Sequence, residues 1–184
     1  MLKGSKLQFF GWAVIAFTLL LFGFKVDKIS DRLQEKINSA IQGTFEVEDF
    51  SMDLMEVKPD LNGQTPSELG GDNLFEITSD GTSIGYVYVG VAPSLKKTFD
   101  YVVLFTPELS VKKSKILIYR EDHGRQVGSQ RWLKQFIGKK SGETLVYGED
   151  IDGISGATVS AKSMTLAVSN VLESIQVLKD ADFF

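Results

Sequence analysis

A chain of 184 residues, 43% hydrophobic and 24% charged, is long enough for one membrane segment and one domain of about 150 residues with its own core. It has no cysteine and a single histidine, His123, which excludes disulfides, iron-sulfur clusters, thiolate metal sites and zinc sites with two or three histidines. The formal net charge of -4 argues against a nucleic-acid partner, because an acidic protein repels phosphate backbones.

The first predicted element is a membrane-spanning helix. Residues 7–24 carry no charge and, at ~1.5 Å per residue, extend roughly 27 Å, close to the hydrocarbon thickness of a bilayer. The alternatives are a cleaved signal peptide and a buried core helix. No pair of small residues stands at a cleavage position after Phe22, which favours an uncleaved anchor over residues 1–27. Basic residues flank both ends of the segment, so they do not fix its orientation.

The next predicted element is an amphipathic helix. Its apolar residues recur every four positions, at Ile29, Leu33, Ile37 and Ile41. The spacing predicts a helix over residues 28–42 that stops at Gly43. We interpret residues 28–44 as a link between the membrane and a domain formed by residues 45–184.

Two hairpins are predicted in the first part of that domain. An extended stretch begins at Phe45, and a surface loop rich in Gly, Pro, Asn and acids occupies residues 59–72. The strands NLFEITS and SIGYVYVGV flank Asp80-Gly81, a pair that supplies the positive backbone dihedrals of a tight turn. Residues 101–106 and 115–120 repeat the arrangement around Pro107-Glu108, with β-branched and aromatic residues in both strands. The centre of the domain is therefore predicted to be an antiparallel sheet.

Helices follow the strands. Ser129 can cap a short helix that closes at Gly138 and places three large side chains on one face, namely Trp132, Leu133 and Phe136. A long amphipathic helix is predicted from spacings of four and three residues between Met164, Val168, Val171, Ile175 and Leu178. The order of elements predicts an α+β fold, with an N-terminal transmembrane helix followed by one domain whose central antiparallel sheet is packed by helices.

The segment most suited to chemistry lies directly before the long helix and reads DGISGATVS, residues 152–160. Glycine allows a close approach of the backbone to a ligand, and the first free N-H groups of a helix bind phosphate. A hydroxyl placed there can also become esterified to that phosphate. From the residues alone, an equally simple reading is that Ser155 or Thr158 is only the N-cap of the helix.

Residues 152–158 resemble the flavinylation motif, in which an Asp and two variable residues precede Ser or Thr, Gly, Ala and Thr. The motif occurs in the FMN-binding domain of the anchored flavin subunits of Rnf-type electron-transport complexes and of sodium-pumping NADH:quinone oxidoreductase. The resemblance, which extends over residues 74–178, implies that Thr158 carries FMN through a phosphoester bond. It implies further contacts to the cofactor or its attachment machinery from Asp152, Ser155, Gly156 and Ala157.

A second segment, REDHGRQVG at residues 120–128, resembles the Glu-Thr-Pro-Gly-Leu-Gly sequence that lies near the flavin in this family. Glu121 and Gly124 match that sequence, whereas Asp122 and His123 stand where Thr and Pro are most common. The resemblance thus implies that Glu121, His123 and Gly124 lie near FMN.

The resemblance implies an electron carrier within a bacterial membrane redox complex and not an autonomous enzyme. Its partners would be the membrane, the other subunits of the complex and a flavin transferase that uses FAD and Mg²⁺. The protein would be single-pass in the cytoplasmic membrane, with its soluble domain on the outer, periplasmic face. The alternatives are a sensor or accessory module that holds FMN noncovalently, a flavin reductase with its own substrate, and a structural subunit that has lost flavin. No GxGxxG or P-loop spacing supports the reductase.

Overall fold

The computed structural model describes residues 29–184, so the membrane segment predicted for residues 1–27 lies outside the described residues. Within residues 29–184, no helix is both long enough and apolar enough to cross a membrane. The helices and strands follow one another along the chain in the order α1 (Asp31–Phe45), β1 (Ser51–Leu54), α2 (Pro59–Asn62), β2 (Leu74–Ser79), β3 (Thr82–Pro93), β4 (Thr98–Phe105), β5 (Val111–Tyr119), α3 (Gln130–Leu133) and α4 (Thr158–Asp180). Two 3-10 turns, Arg125–Gly128 and Lys134–Phe136, flank α3.

The five strands form one antiparallel sheet in the order β1-β2-β3-β4-β5. Sequence neighbours are therefore also spatial neighbours throughout the sheet. The turn between β2 and β3 has positive φ at Asp80 (50°) and Gly81 (74°), the geometry that the predicted tight hairpin requires. The α+β fold with a central antiparallel sheet and packed helices is confirmed over the described residues.

Helices cover both faces of the sheet, because strand β4 has apolar side chains on both of them. Along β4, Val102 and Leu104 face the cluster that contains Ile37 and Ile41 of α1. Alternate β4 residues contact the opposite cluster, which contains α4. The apolar residues of α4 that predicted a long amphipathic helix, namely Met164, Val168, Val171, Ile175 and Leu178, are all fully buried. Each buried side chain of this size contributes about 1.5–3 kcal/mol relative to an exposed one.

Helix α1 corrects two predictions. It does not stop at Gly43 but continues to Phe45, which was predicted to be extended. Glu46 ends the helix in a left-handed conformation (φ 58°, ψ 41°) and donates its N-H to the Gln42 carbonyl at 2.9 Å. Gly43 is tolerated inside the helix, while the Phe45 ring packs against the backbone of Gly85 on β3. This tertiary contact stabilises the last turn.

One end of the sheet gathers three connections. Strand β3 ends there, β4 begins there and β5 ends there, because successive strands run in opposite directions. The β3–β4 turn at residues 94–97 and the segment after β5 at residues 121–124 are therefore neighbours. The start of α4 lies against the same end and completes a cleft.

Candidate functional site

The cleft at this end of the sheet has a volume of about 370 Å³, within the range of about 300–1,000 Å³ typical of small-molecule and cofactor sites. Its walls are the β3–β4 turn, the segment after β5 and the first turn of α4. Six residues that the sequence singled out line it, namely Glu121, His123, Gly124, Gly156, Ala157 and Thr158. The two separate segments found in the sequence thus meet in one site.

Thr158 is the first residue of α4, and its side chain is exposed in the cleft. The N-cap is Ala157 (φ -139°, ψ 24°), which has no side chain able to cap the helix. Neither Ser155 nor Thr158 is therefore the N-cap, and the reading of either residue as a simple capping residue is wrong. Within residues 29–184, the Thr158 hydroxyl makes no hydrogen bond to another group of the protein.

The backbone at the start of α4 leaves donors available to a ligand. The first helical bond runs from the Ala161 N-H to the Ala157 carbonyl at 2.9 Å. Among the described residues, the N-H groups of Thr158, Val159 and Ser160 have no acceptor. Three free N-H groups at the positive end of a 23-residue helix form a suitable site for one phosphate group.

Gly124 allows the segment after β5 to approach the start of α4. It has a φ of 82°, and a Cβ at this position would lie 2.6 Å from the Tyr119 hydroxyl oxygen and 3.5 Å from the Gly156 carbonyl oxygen. Gly156 also has positive φ, 77°. The site therefore requires glycine at Gly124 for both its backbone conformation and the space it leaves.

Tyr119 connects two walls of the cleft. Its hydroxyl donates to the His123 carbonyl at 2.9 Å and lies 2.9 Å from Ser160 Oγ. Because a tyrosine has one hydroxyl proton, Ser160 is the donor in the second bond. Ser160 is buried on the first turn of α4, so these bonds hold that turn against the end of β5.

Glu121 is half-buried and binds the β3–β4 turn through one oxygen. Its Oε1 accepts the backbone N-H of Lys96 and that of Lys97, the latter at 2.8 Å, and lies 2.9 Å from Ser94 Oγ. The two backbone hydrogen bonds, from Lys96 first and then from Lys97, lower the pKa of Glu121 below its ordinary value. The carboxylate is therefore charged across the neutral range.

His123 is exposed and lines the cleft, so the structure places it near the predicted cofactor site. Its backbone carbonyl, and not its ring, makes the bond to Tyr119. Asp122 and Gly124 line the cleft beside it.

Asp152 and Ser155 lie outside this cleft. They line a separate groove of about 450 Å³ beside α3. Two side chains of that region hold the Asp152 backbone. Trp132 Nε1 donates to the Asp152 carbonyl at 2.7 Å, and the Asp152 N-H donates to Gln135 Oε1 at 2.8 Å. The side chains of Asp152 and Ser155 are both exposed. The structure thus divides the motif between two adjacent surfaces.

Several cleft residues were not among the predicted site residues, namely Leu95, Lys96, Lys97, Tyr119, Val159 and Ser160, although the last two belong to the segment at residues 152–160. One signal was available for some of them. In an antiparallel sheet with sequential strands, the β3–β4 turn lies at the same end as the residue that ends β5. That topology would have placed the Leu-Lys-Lys turn and Tyr119 beside the segment at residues 121–124.

Comparisons with known proteins agree with this geometry. The model of the family described as "FMN-binding domain" matches residues 85–173, a range that includes all three walls of the cleft. The fold is similar to that of Shewanella oneidensis NqrC, with a TM-score of 0.57 and 13% sequence identity over 83% of this chain and 98% of that one. No curated protein sequence matches the chain. Residues 85–173 of this chain belong to the FMN-binding domain family.

Proposed function

We propose that this chain is a membrane-anchored electron-transfer flavoprotein that carries FMN in phosphoester linkage to Thr158. The observation that carries the proposal is the position of the Thr158 hydroxyl, which is exposed in the cleft on a helix start with three free N-H groups. The helix terminus suits the phosphate, and the hydroxyl beside it suits the ester bond.

The residues of the cleft fit FMN at its two chemically different ends. At the phosphate end, the N-H groups of α4 provide donors, and Gly156 leaves the backbone accessible. Leu95 is 71% exposed and Val159 is 48% exposed, so both offer apolar surface to a flavin ring. Apolar walls combined with a few polar groups are typical of cofactor sites.

The attachment step is a phosphoryl transfer in which FAD is the donor. Thr158 Oγ forms a bond to the phosphorus on the FMN side of the FAD pyrophosphate, and the bond from that phosphorus to the bridging oxygen breaks. AMP leaves with the bridging oxygen, and the Thr158 hydroxyl proton passes to a base of the flavin transferase, which binds Mg²⁺. The step involves no oxidation or reduction, and it keeps one negative charge beside the helix N-terminus.

Asp152 and Ser155 serve attachment and not the bound cofactor. Both side chains are exposed in the groove beside α3, outside the cleft that contains Thr158. The Asp152 backbone is held by Trp132 and Gln135, so an external enzyme would meet a fixed surface there. We infer that the transferase reads this surface while Thr158 enters its active site.

Bound FMN supplies one-electron and two-electron transfer, while the protein sets its exposure and charge environment. Lys96 and Lys97 are exposed on the wall of the cleft. Their positive charges stabilise negative charge on a cofactor bound nearby. The open side of the cleft leaves room for a redox partner.

Three features support a place in a bacterial membrane redox complex. Residues 7–24 are uncharged over the length of one bilayer crossing. The fold is similar to that of NqrC. The motif at residues 152–158 resembles that of flavin subunits anchored in such complexes. We propose a single-pass protein of the cytoplasmic membrane with its domain on the periplasmic face.

Coexpression of the full-length chain with a flavin transferase tests the proposal. Mass spectrometry of proteolytic peptides should find an FMN adduct on the peptide that contains Thr158. Thr158→Ala should abolish the adduct, whereas Ser163→Ala, which removes a hydroxyl on the same helix outside the cleft, should retain it. Asp152→Ala should slow attachment without changing the fold. An adduct that persists in Thr158→Ala would contradict the assignment of the site.

A noncovalent FMN-binding sensor or accessory module gives a different result. Under ultraviolet light, flavin fluorescence stays with the polypeptide on a denaturing gel only when the linkage is covalent. Flavin that co-purifies with the folded chain but separates on this gel would support the noncovalent module.

A further inference from the structure

The β3–β4 turn forms a wall of the proposed flavin cleft but has few bonds of its own to hold it there. Within the turn, the Ser94 N-H donates to the Lys97 carbonyl at 2.7 Å. Leu95 projects from it with 71% of its surface exposed, and Lys96 is also exposed. A turn with so little buried side-chain surface would ordinarily be among the more mobile parts of a domain.

One carboxylate oxygen joins this turn to the rest of the cleft. Glu121 Oε1 accepts backbone N-H groups from both Lys96 and Lys97. The Ser94 hydroxyl lies 2.9 Å from Glu121 Oε1 and also 2.9 Å from the Lys97 carbonyl, so its single proton is shared between two acceptors. Hydrogen bonds to a charged acceptor are roughly twice as strong as neutral ones. Glu121 therefore holds the turn at three points.

We propose that Glu121 is a positioning residue that fixes the β3–β4 turn as a wall of the flavin cleft. The inference rests on the proposed function and deepens it, because it assigns Glu121 a specific role. Glu121 affects the flavin by holding the β3–β4 turn in position. The resemblance implied only that Glu121 lies near FMN. Its Oε1 is occupied by the turn, and Glu121 is adjacent in sequence to the cleft residue Asp122.

The fixed turn has consequences for the cofactor. Leu95 limits access of water to the flavin, and the ammonium groups of Lys96 and Lys97 stay near it. Positive charge close to the cofactor stabilises its reduced, more negative forms and raises its midpoint potential. Release of the turn should therefore expose the flavin and shift the midpoint potential downward.

The first arm of the test uses hydrogen exchange on the full-length chain without FMN. In Glu121→Ala, the amides of Lys96 and Lys97 should exchange about tenfold faster or more, because they lose a charged acceptor. Glu121→Gln should restore most of the protection, since its amide oxygen can still accept. The matched control is Glu143→Ala, because Glu143 Oε1 accepts the Lys140 N-H at 2.9 Å outside the cleft. It should leave both amides unchanged.

The second arm uses the chain loaded with FMN. Glu121→Ala should increase quenching of flavin fluorescence by iodide. Its midpoint potential should lie below that of Glu121→Gln, which removes the same negative charge but keeps an acceptor for the turn. Glu143→Ala should change neither quenching nor potential. Should Glu121→Ala fail to fold, Ser94→Ala, which removes one of the three contacts to Glu121, provides the same comparison with smaller effects.

The outcomes separate this inference from the proposed function. We call the three contacts from Glu121 to the β3–β4 turn the clamp. Unchanged exchange of the Lys96 and Lys97 amides in Glu121→Ala would show that the clamp does not hold the turn, which overturns the inference. Faster exchange with unchanged quenching and potential would show that the clamp exists but does not position the flavin wall, which also overturns the inference. Absence of FMN from the wild-type chain would instead overturn the proposed function, while the exchange arm would still decide whether the clamp exists.

Discussion

Gly124→Ala should destabilise the fold through two separable effects. The position has a φ of 82°, and the added Cβ would lie 2.6 Å from the Tyr119 hydroxyl oxygen. The left-handed conformation costs an L-residue about 1–2 kcal/mol. Displacement of Tyr119 weakens its bonds to the His123 carbonyl and Ser160 Oγ, which contribute about 0.5–1.5 kcal/mol each. Together these terms lower the free energy of unfolding by about 2–5 kcal/mol.

Two other glycines separate backbone strain from the steric contact. Gly138 has nearly the same φ, 83°, but nothing lies within 4 Å of its would-be Cβ. Gly138→Ala should therefore lose only the strain term of about 1–2 kcal/mol. Gly128 has neither positive φ nor a neighbour within 4 Å. Gly128→Ala should change stability by no more than about 0.5 kcal/mol.

The assay is urea unfolding of the full-length chain in mild detergent, followed by circular dichroism. A double-mutant cycle with Tyr119→Phe isolates the contact, because phenylalanine lacks the oxygen that the Cβ of Gly124→Ala would meet. In the Tyr119→Phe background, the cost of Gly124→Ala should fall by about 1 kcal/mol. Equal costs for Gly124→Ala and Gly138→Ala, together with no relief from Tyr119→Phe, would refute the reasoning.

Two further predictions concern charged side chains, and unfolding measurements check both. Arg120→Ala should lower the free energy of unfolding by roughly 1–3 kcal/mol, because it leaves the Asp100 carboxylate, 4% exposed, without the guanidinium 2.6 Å away. Asp100→Asn should cost less. Burial, and then the charges of Lys113 and Lys36, lower the pKa of Lys115 below 10.5. The unfolded chain therefore binds this proton more tightly, and stability rises with pH between the lowered pKa and 10.5. Lys115→Met should raise stability at neutral pH and remove that rise, whereas an unchanged rise would contradict the assignment.

The central sheet and the last helix could be predicted because their residues follow one period. Alternating apolar residues in the strands, and apolar residues three and four apart in α4, report directly which face is buried. The strand ends were less accurate. Strand β4 begins at Thr98, not Tyr101, and β5 begins at Val111, not Lys115. Backbone pairing with a neighbouring strand extends an element beyond its apolar residues, and a single strand's sequence does not contain that information.

The end of α1 shows a different limit. Glycine after the last apolar residue usually marks a helix end, so Gly43 was a reasonable prediction. The helix instead uses Glu46 in the left-handed conformation, because Phe45 packs against Gly85 from a distant strand. A contact between residues forty positions apart decided the boundary, and local sequence rules do not include such contacts. Strand β1 was difficult to predict for another reason. Its residues are mostly exposed, so burial imposes little pattern on its sequence.

Two walls of the candidate site could be predicted, because each is formed by a continuous sequence segment. The third wall, the β3–β4 turn, could not. The small residues around Thr158 and the segment from Glu121 to Gly124 were visible as sequences. The β3–β4 turn enters the site only through the sheet topology and the bonds to Glu121. Ala157 as the N-cap could not be predicted, since alanine is a poor capping residue. The tertiary hydrogen bond between Tyr119 and Ser160 holds the first turn of α4 in its place.

Under the proposed function, the division of the motif between two surfaces resolves a physical conflict. A residue that a modifying enzyme must recognise has to remain exposed, whereas the residues that hold a cofactor must surround it. Here Asp152 is exposed beside α3, and Thr158 lies in the cleft. Gly156, with its φ of 77°, provides the change in chain direction between them. Under the proposed function, changes at Asp152 should slow attachment of FMN without altering the cofactor once it is bound, while changes at Glu121 should alter the bound cofactor. The two effects are separable because Asp152 lines the groove beside α3, whereas Glu121 lines the cleft.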